Sequence, residues 1–390
     1  MKPLSDKTAG FTDSVIRRMT RVSNQYGAVN LSQGFPDFDP PKEITDRLRE
    51  IAPHGPHQYA LTWGAQNFRE ALARKHEHFS GMKVDPNKEI VVTCGSTEAM
   101  MASMLTVCNP GDKVVVFSPF YENYGADAIL SGAQPIYVPL NPPEFNFDPA
   151  ELEQAFQQHP KALILCNPSN PCGKVFTRDE LELIAGLAKK YDVYVITDEV
   201  YEHIVYAPRT HTYFAALPGM WERTISCSSL SKTYSVTGWR LGYVIAPAPI
   251  IERAKKVHDF LTVGAAAPLQ EAIIPGLRFG QDYYDDLLAK YTHKRDLFCK
   301  GLDALGLVHN VPQGAYYVMM DISEFGYDSD LKFCEELAAK VGVGAVPGSS
   351  FFREPVNNLI RLHFAKKDET LLDALNRLEG LRDKIKPKHR

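Results

Sequence analysis

Between residues 89 and 246 short apolar runs alternate with amphipathic ones, and this alternation narrows the possible folds more than any other feature. Residues 162–166 and 193–197 are short, apolar and partly β-branched, whereas residues 148–157 and 178–190 carry apolar side chains at helical spacing. Runs that are apolar throughout suit strands buried on both faces, and the amphipathic stretches between them suit helical crossovers. The pattern predicts an α/β fold built on a mainly parallel sheet with helices on both sides. Beyond about residue 285 it changes to a long charged helix, a few strands and a final helix from Asp368. That portion, joined by the amino-terminal segment, reads as a smaller α+β domain. The expected division is 45–285 for the large domain, and 1–44 with 286–390 for the small one.

The residues with chemical capacity follow the expected strands, where open α/β sheets bind ligands. Thr224-Ile-Ser-Cys227 reads as a buried strand and leads into Ser229-Leu-Ser-Lys232, with Arg240 shortly after. A lysine at the end of a buried strand is costly unless something pairs or uses it. The run 193–197 ends at Asp198, and the phenol of Tyr201 comes three residues later. An amine nucleophile, a Ser/Arg pair, an acid and a phenol are the parts needed to hold pyridoxal 5′-phosphate. Lys232 is then expected to form the Schiff base with the aldehyde and to move the substrate α-proton as general base. Asp198 is expected to keep the pyridine nitrogen protonated, and Tyr201 to hydrogen-bond the ring 3′-oxygen. Ser229 and Arg240 are expected to hold the phosphate.

Three further loops join this set. Cys94-Gly95-Ser96-Thr97 follows a strand-like run and opens a helix, whose first amides favour an anion. Tyr121 follows the apolar run 113–117 and is placed to stack on a flat heterocycle. Asn170, in a Pro/Asn loop after residues 162–166, is placed to donate to the ring oxygen or to a substrate carboxylate. Taken singly, each loop also has an ordinary structural reading: a capped helix, a core tyrosine and a turn.

With these residues in view, the chain resembles the fold-type I aminotransferases of class I/II over roughly residues 30–365. Asn170-Pro171-Cys172-Gly173 matches the family's Asn-Pro-x-Gly, with Cys where Thr is usual. Asp198 and Tyr201 match its Asp-x-x-Tyr pair, and Ser229, Lys232 and Arg240 match its Ser-x-x-Lys signature with a downstream base. The resemblance implies a homodimer with shared active sites that moves an amino group between an L-amino acid and a 2-oxo acid. The cycle would be ping-pong, through pyridoxamine phosphate. It further implies that Arg361 clamps the substrate α-carboxylate, that the backbone at Gly34 approaches it, and that Tyr59 reaches the neighbouring subunit's phosphate.

The passages around Gly34, Trp221-Glu-Arg-Thr224 and Thr237-Gly-Trp239 look most like the kynurenine, glutamine and methionine branch. Ile16 stands where that branch often has an aromatic residue, and Val263-Gly264 where a partner usually contributes Phe-His. Both departures leave room for aliphatic or longer polar substrates. No second arginine is evident for a dicarboxylate side chain.

Composition agrees with an enzyme of small molecules. A net charge of −4 over 390 residues gives no electrostatic case for nucleic acid. Seven scattered cysteines, without a Cys-x-x-Cys pair, suggest reduced thiols in a cytoplasmic protein. The amino terminus lacks the apolar core of a leader, no apolar run reaches membrane-span length, and the basic residues 384–390 read as a solvated tail. His76-Glu-His78 is too close-set for a helical metal site and is expected on a solvent-facing helix, so no metal is expected. A nucleotide-binding dehydrogenase would need a G-x-G-x-x-G after a strand, which is not present as required. A non-catalytic binding protein would have no need of Lys232, Asp198 and Arg361 together. A carbon–sulfur β-lyase acting on cysteine conjugates or cystathionine is the alternative within the same cofactor class, because it shares every step up to the α-carbanion.

Overall fold

The computed structural model describes residues 2–9, 11 and 13–386. Met1 of the amino-terminal reading and residues 387–390 of the basic tail lie outside the described residues. Seven strands make the large sheet: β1 (Ile90–Thr93), β2 (Lys113–Ser118), β3 (Gln134–Pro139), β4 (Ala162–Cys166), β5 (Tyr194–Asp198), β6 (Thr224–Ser229) and β7 (Gly242–Ile245). Their spatial order is β1-β7-β6-β5-β4-β2-β3. Strands β2 to β6 pair in parallel, while β7 lies antiparallel between β1 and β6. Only β7 is therefore reversed, and the sheet is mainly parallel, as the alternation predicted.

The apolar runs are apolar throughout because both faces are covered. Val114, Val116, Ile164, Ile196 and Ile225 pack with the helices α3 (Gly95–Val107) and α7 (Ala248–Thr262). The alternate residues Val115, Phe117, Leu163, Leu165 and Val195 pack with α5 (Pro149–Phe156) and α6 (Arg178–Lys190) on the other face. This is the period of two expected of a pleated strand. Helix α6 starts where its sequence says it should: Thr177 and Glu180 form a reciprocal capping box.

A second core forms around residues 287–385. Strands β8 (Tyr317–Asp321), β9 (Val346–Pro347) and β10 (Leu359–His363) make an antiparallel sheet in the order β9-β10-β8. It packs with the long helix α8 (Gln281–Ala304) and with α9 (Asp368–Glu379) through Phe298, Tyr316, Val318, Ile360, Leu362, Leu371 and Leu375. Met19 of α1 (Val15–Gln25) and Leu31 join the same core, and Val29–Asn30 pairs in parallel with Val343–Gly344. The amino-terminal segment thus folds against the carboxy-terminal one. Helix α8 runs unbroken through residue 285, so the expected seam falls within a helix.

One expectation is overturned in part. Glu77 and His78 are exposed, but His76 is buried. Helix α2 (Gln66–Ser80) turns Lys75 and His76 inward, where Lys75 pairs with Glu202 at 2.8 Å and His76 meets the Tyr213 ring edge-on at 5.8 Å. The neutralising carboxylate makes the buried lysine tolerable, and sequence spacing gave no sign of a partner 127 positions away. Among the described residues, no helix is long and apolar enough to cross a membrane.

Candidate active site

Open parallel sheets leave a crevice beyond their carboxyl ends, and here it is a cavity of about 880 Å³. The carboxyl ends of β1, β2, β4, β5 and β6, with the segments that follow them, bring Ser96, Thr97, Tyr121, Asn170, Asp198, Tyr201, Ser229 and Lys232 to its wall. Arg240 reaches the same rim for a different reason: it precedes β7, whose reversed direction puts its amino end there. Gly34 and Arg361 arrive from the second core. Of the residues given a cofactor or substrate role in the sequence, only Tyr59 is absent from the wall, and it is 87% exposed.

Lys232 Nζ lies 3.3 Å from the Gly34 carbonyl oxygen and faces the rings of Tyr201 and Tyr316 at 5.7 and 5.6 Å. Burial, reinforced by the Arg240 charge, pulls its ammonium down to about 8. Asp198 accepts a hydrogen bond from the Tyr124 hydroxyl at Oδ2 (2.7 Å), while its buried Oδ1 has no partner among the described residues. Burial pushes this carboxyl up to about 6, against the pull of Tyr124. Asp127, on the same wall, is pushed up to about 8 by burial and then by the Asp198 charge.

Arg361 is 1% exposed. Its Nη1 donates to Asn170 Oδ1 at 2.7 Å and its Nη2 to the Ser32 carbonyl at 2.8 Å, with the guanidinium against the Tyr317 and Phe351 rings. No carboxylate lies within ion-pair distance of it among the described residues. A buried cation held only by neutral acceptors is matched to an anion that arrives from outside. Because Asn170 Oδ1 accepts from Arg361, its amide nitrogen is the end free to donate.

The rim where α3 opens is shaped by two glycines. Gly95 has φ +81°, and a Cβ there would fall 2.2 Å from Arg240 Nη2. A Cβ on Gly242 would fall 2.3 to 2.6 Å from the backbone of Gly95 and Ser96. Backbone amides opening α3, the Ser229 hydroxyl and the Arg240 guanidinium are therefore held close together, which suits a phosphate dianion. With an amine of lowered pKa and an unpartnered buried carboxylate oxygen, the donor set fits pyridoxal 5′-phosphate.

Sequence reasoning missed several wall residues. Tyr124 and Asp127 share one face of α4 (Asn123–Ser131), and a Tyr and an Asp three apart just beyond Tyr121 were the available signal. Tyr317, whose hydroxyl is 2.9 Å from that of Tyr201, gave no signal beyond a pair of aromatics on a strand. Arg17 stands on the cavity wall beside Ser14 and Ile16, with no acid within ion-pair distance among the described residues. It supplies a further cation, beyond Lys232, Arg240 and Arg361, that the sequence alone did not reveal.

The family model for aminotransferases of class I and II matches residues 26–378. The chain is 37% identical to the methionine aminotransferase of Escherichia coli K12, with 94% of this chain and 96% of that protein covered. It is 35% identical to kynurenine–oxoglutarate transaminase 3 of Mus musculus, with 93% and 86% covered. Among solved structures, the N-succinyldiaminopimelate aminotransferase of Mycobacterium tuberculosis superposes with a TM-score of 0.94 at 34% identity, with 97% of this chain and 100% of that one covered.

Proposed function

As this chain belongs to the class I and II aminotransferases, which use pyridoxal 5′-phosphate to move amino groups, we propose that it carries out ping-pong transamination between an L-amino acid and a 2-oxo acid in the cavity just described. One observation carries the reading: Lys232, the unpartnered Oδ1 of Asp198 and the acid-free guanidinium of Arg361 line a single cavity. The bound cofactor supplies an electron sink for negative charge at the substrate Cα and a carrier for nitrogen between half-reactions. Everything else falls to side chains. Lys232, as a free amine, moves the proton at Cα. Asp198 holds a proton on the ring nitrogen, and Tyr201 and Asn170 donate to the ring 3′-oxygen. Ser96, Thr97, Ser229 and Arg240 hold the phosphate, while Tyr121 stacks on the ring. Arg361, with the backbone at Gly34, fixes the α-carboxylate and so aims the Cα–H bond.

The substrate class we infer is an aliphatic or longer polar amino acid as donor, with 2-oxoglutarate as acceptor. Ile16 on the wall, in place of an aromatic ring, favours the former, and Arg17 offers a cation to a distal carboxylate. The names of the methionine and kynurenine relatives support this branch. The carbon–sulfur lyase alternative gains no support from them. We further infer domains at 45–285 and at 1–44 with 286–390, and a homodimer in which the exposed Tyr59 serves the neighbour's phosphate. Seven free cysteines support a reducing compartment, the cytoplasm. A panel of amino donors against 2-oxoglutarate and pyruvate tests the substrate reading. Turnover fastest with methionine or glutamine as donor supports it; release of pyruvate and ammonia from cysteine conjugates, without amino transfer, overturns it.

A further inference from the structure

His258, on α7, has no exposed surface (0%) and takes no part in the chemistry described above. Its Nδ1 is 2.7 Å from Glu98 Oε1, and its Nε2 is 2.7 Å from the Thr62 carbonyl oxygen. A carbonyl oxygen only accepts, so Nε2 carries a proton. The carboxylate also accepts: although burial works against its charge, the His258 and Cys94 donors hold Glu98 below its ordinary range. Both ring nitrogens therefore face acceptors, and the imidazolium is the one form that satisfies both.

What this cation connects is informative. Glu98 lies in the first turn of α3 and lines the cavity. Its Oε2 accepts from the Cys94 backbone N–H at 2.6 Å, and its Oε1 takes the Thr262 hydroxyl at 2.8 Å. Cys94 immediately precedes the Gly95-Ser96-Thr97 turn. Thr62 lies three residues beyond Tyr59, in the segment that carries that exposed ring. Glu98 is also a charge of the wrong sign beside a phosphate: unpaired, it would oppose the anion that the helix start attracts.

We propose that His258 is a positioning residue for the cofactor phosphate: a buried imidazolium that cancels the Glu98 charge and ties the Ser96–Thr97 loop to the Tyr59 segment. The inference rests on the phosphate roles proposed for Ser96, Thr97 and Tyr59. It acts through Glu98 and Thr62 and touches neither cofactor nor substrate.

Cofactor dissociation constants, measured on resolved protein titrated with pyridoxal 5′-phosphate, separate this from a purely structural role. His258→Gln leaves Glu98 charged and unpaired, and should weaken cofactor binding by about tenfold or more, with kcat at saturating cofactor changed by no more than about twofold. Adding Glu98→Gln to that variant removes the offending charge and should restore most of the affinity. If packing were the only role, the double variant would bind no better than the single one. Native affinity in His258→Gln, or a double variant as weak as the single, overturns the proposal. Should His258→Gln fail to fold, nitrogen-15 NMR of histidine-labelled native holoenzyme decides: both ring nitrogens of His258 protonated at pH 7.5 supports it, and a neutral tautomer overturns it. Ser96→Ala with Thr97→Val is the control. Unchanged affinity there removes the phosphate reading itself, whereas a loss there with none in His258→Gln removes only this inference.

Discussion

At the scale of single residues, the site works by holding groups in states that water would not allow. An ordinary lysine, at 10.5, is neutral in only about one molecule in a thousand at pH 7.5; at about 8, roughly a quarter of Lys232 is neutral. Only the neutral amine attacks an aldehyde, so attachment of pyridoxal 5′-phosphate to the resolved protein should speed up as pH rises and level off above about 8. Stopped-flow absorbance in the near-visible follows this directly, and a rate still climbing tenfold per unit at pH 9 would mean that the lysine is not perturbed. Arg361 makes the complementary case. If it clamps the substrate α-carboxylate, as proposed, truncation to Ala removes one partner of a buried charge pair that forms only with substrate, a loss of about 2–5 kcal/mol in kcat/KM. Every donor and acceptor should suffer, while near-visible absorbance of the bound cofactor persists. Selective loss for one substrate, or a lowered Tm with unchanged kinetics, would place Arg361 outside the site. Arg17→Ala should behave differently, lowering kcat/KM for 2-oxoglutarate but not for pyruvate, because only the former has a distal carboxylate to meet it.

At the scale of elements, the decisive contact is between a strand and the start of a helix. A side chain on Gly242 would meet the backbone of Gly95 and Ser96, and backbone gives way far less easily than a flexible side chain. Gly242→Ala should therefore displace the start of α3, cost about 1–3 kcal/mol of stability and weaken cofactor binding more than it changes kcat. Thermal melts with and without cofactor check this, since the displaced loop reduces the extra Tm that the cofactor confers. Much of this architecture could be read in advance. The apolar runs ending at Thr93, Cys166 and Asp198 became strands because strands covered on both faces must be apolar throughout, and the segments after them carry the candidate site residues. The alternation with helices gave the mainly parallel sense, but the one reversed strand could not be read, since its side-chain pattern is the same for either sense. The reversal of β7, which brings Arg240 to the rim, appeared only in the structure. Tyr124 and Asp127 were hidden for a related reason: their partner Asp198 is more than 70 residues away, and spacing along α4 reports a face but not what it meets. Buried Lys75 and His76 were likewise invisible until Glu202 and Tyr213 were placed beside them.

At the scale of the whole molecule, the proposed homodimer turns on one residue. Tyr59 is 87% exposed and lies off the cavity of its own subunit, while Leu61, Phe260, Leu261 and Val263 expose apolar surface nearby in sequence and at the end of α7. A phenol in that position serves a site only if another copy presents one. If Tyr59 donates to the neighbour's phosphate, as proposed, Tyr59→Phe removes one hydrogen bond to a charged group, worth about 1.5–3 kcal/mol, and the variant should bind cofactor roughly ten- to a hundredfold more weakly. Lys232→Ala should leave a folded protein with no turnover, since the amine that moves the proton is gone. Co-expressing the two variants separates the possible geometries. In a hybrid dimer, the subunit that keeps Lys232 receives an intact Tyr59 from its partner, so that one site should regain native affinity and native turnover. If Tyr59 instead served its own subunit, the site with Lys232 would still lack the hydroxyl, and hybrids would bind cofactor as weakly as Tyr59→Phe alone. Purifying the hybrid through two different affinity tags and titrating its single competent site with cofactor distinguishes these outcomes. A weakly binding hybrid would remove Tyr59 from the neighbour's site, and with it the site's need for a second copy of the chain.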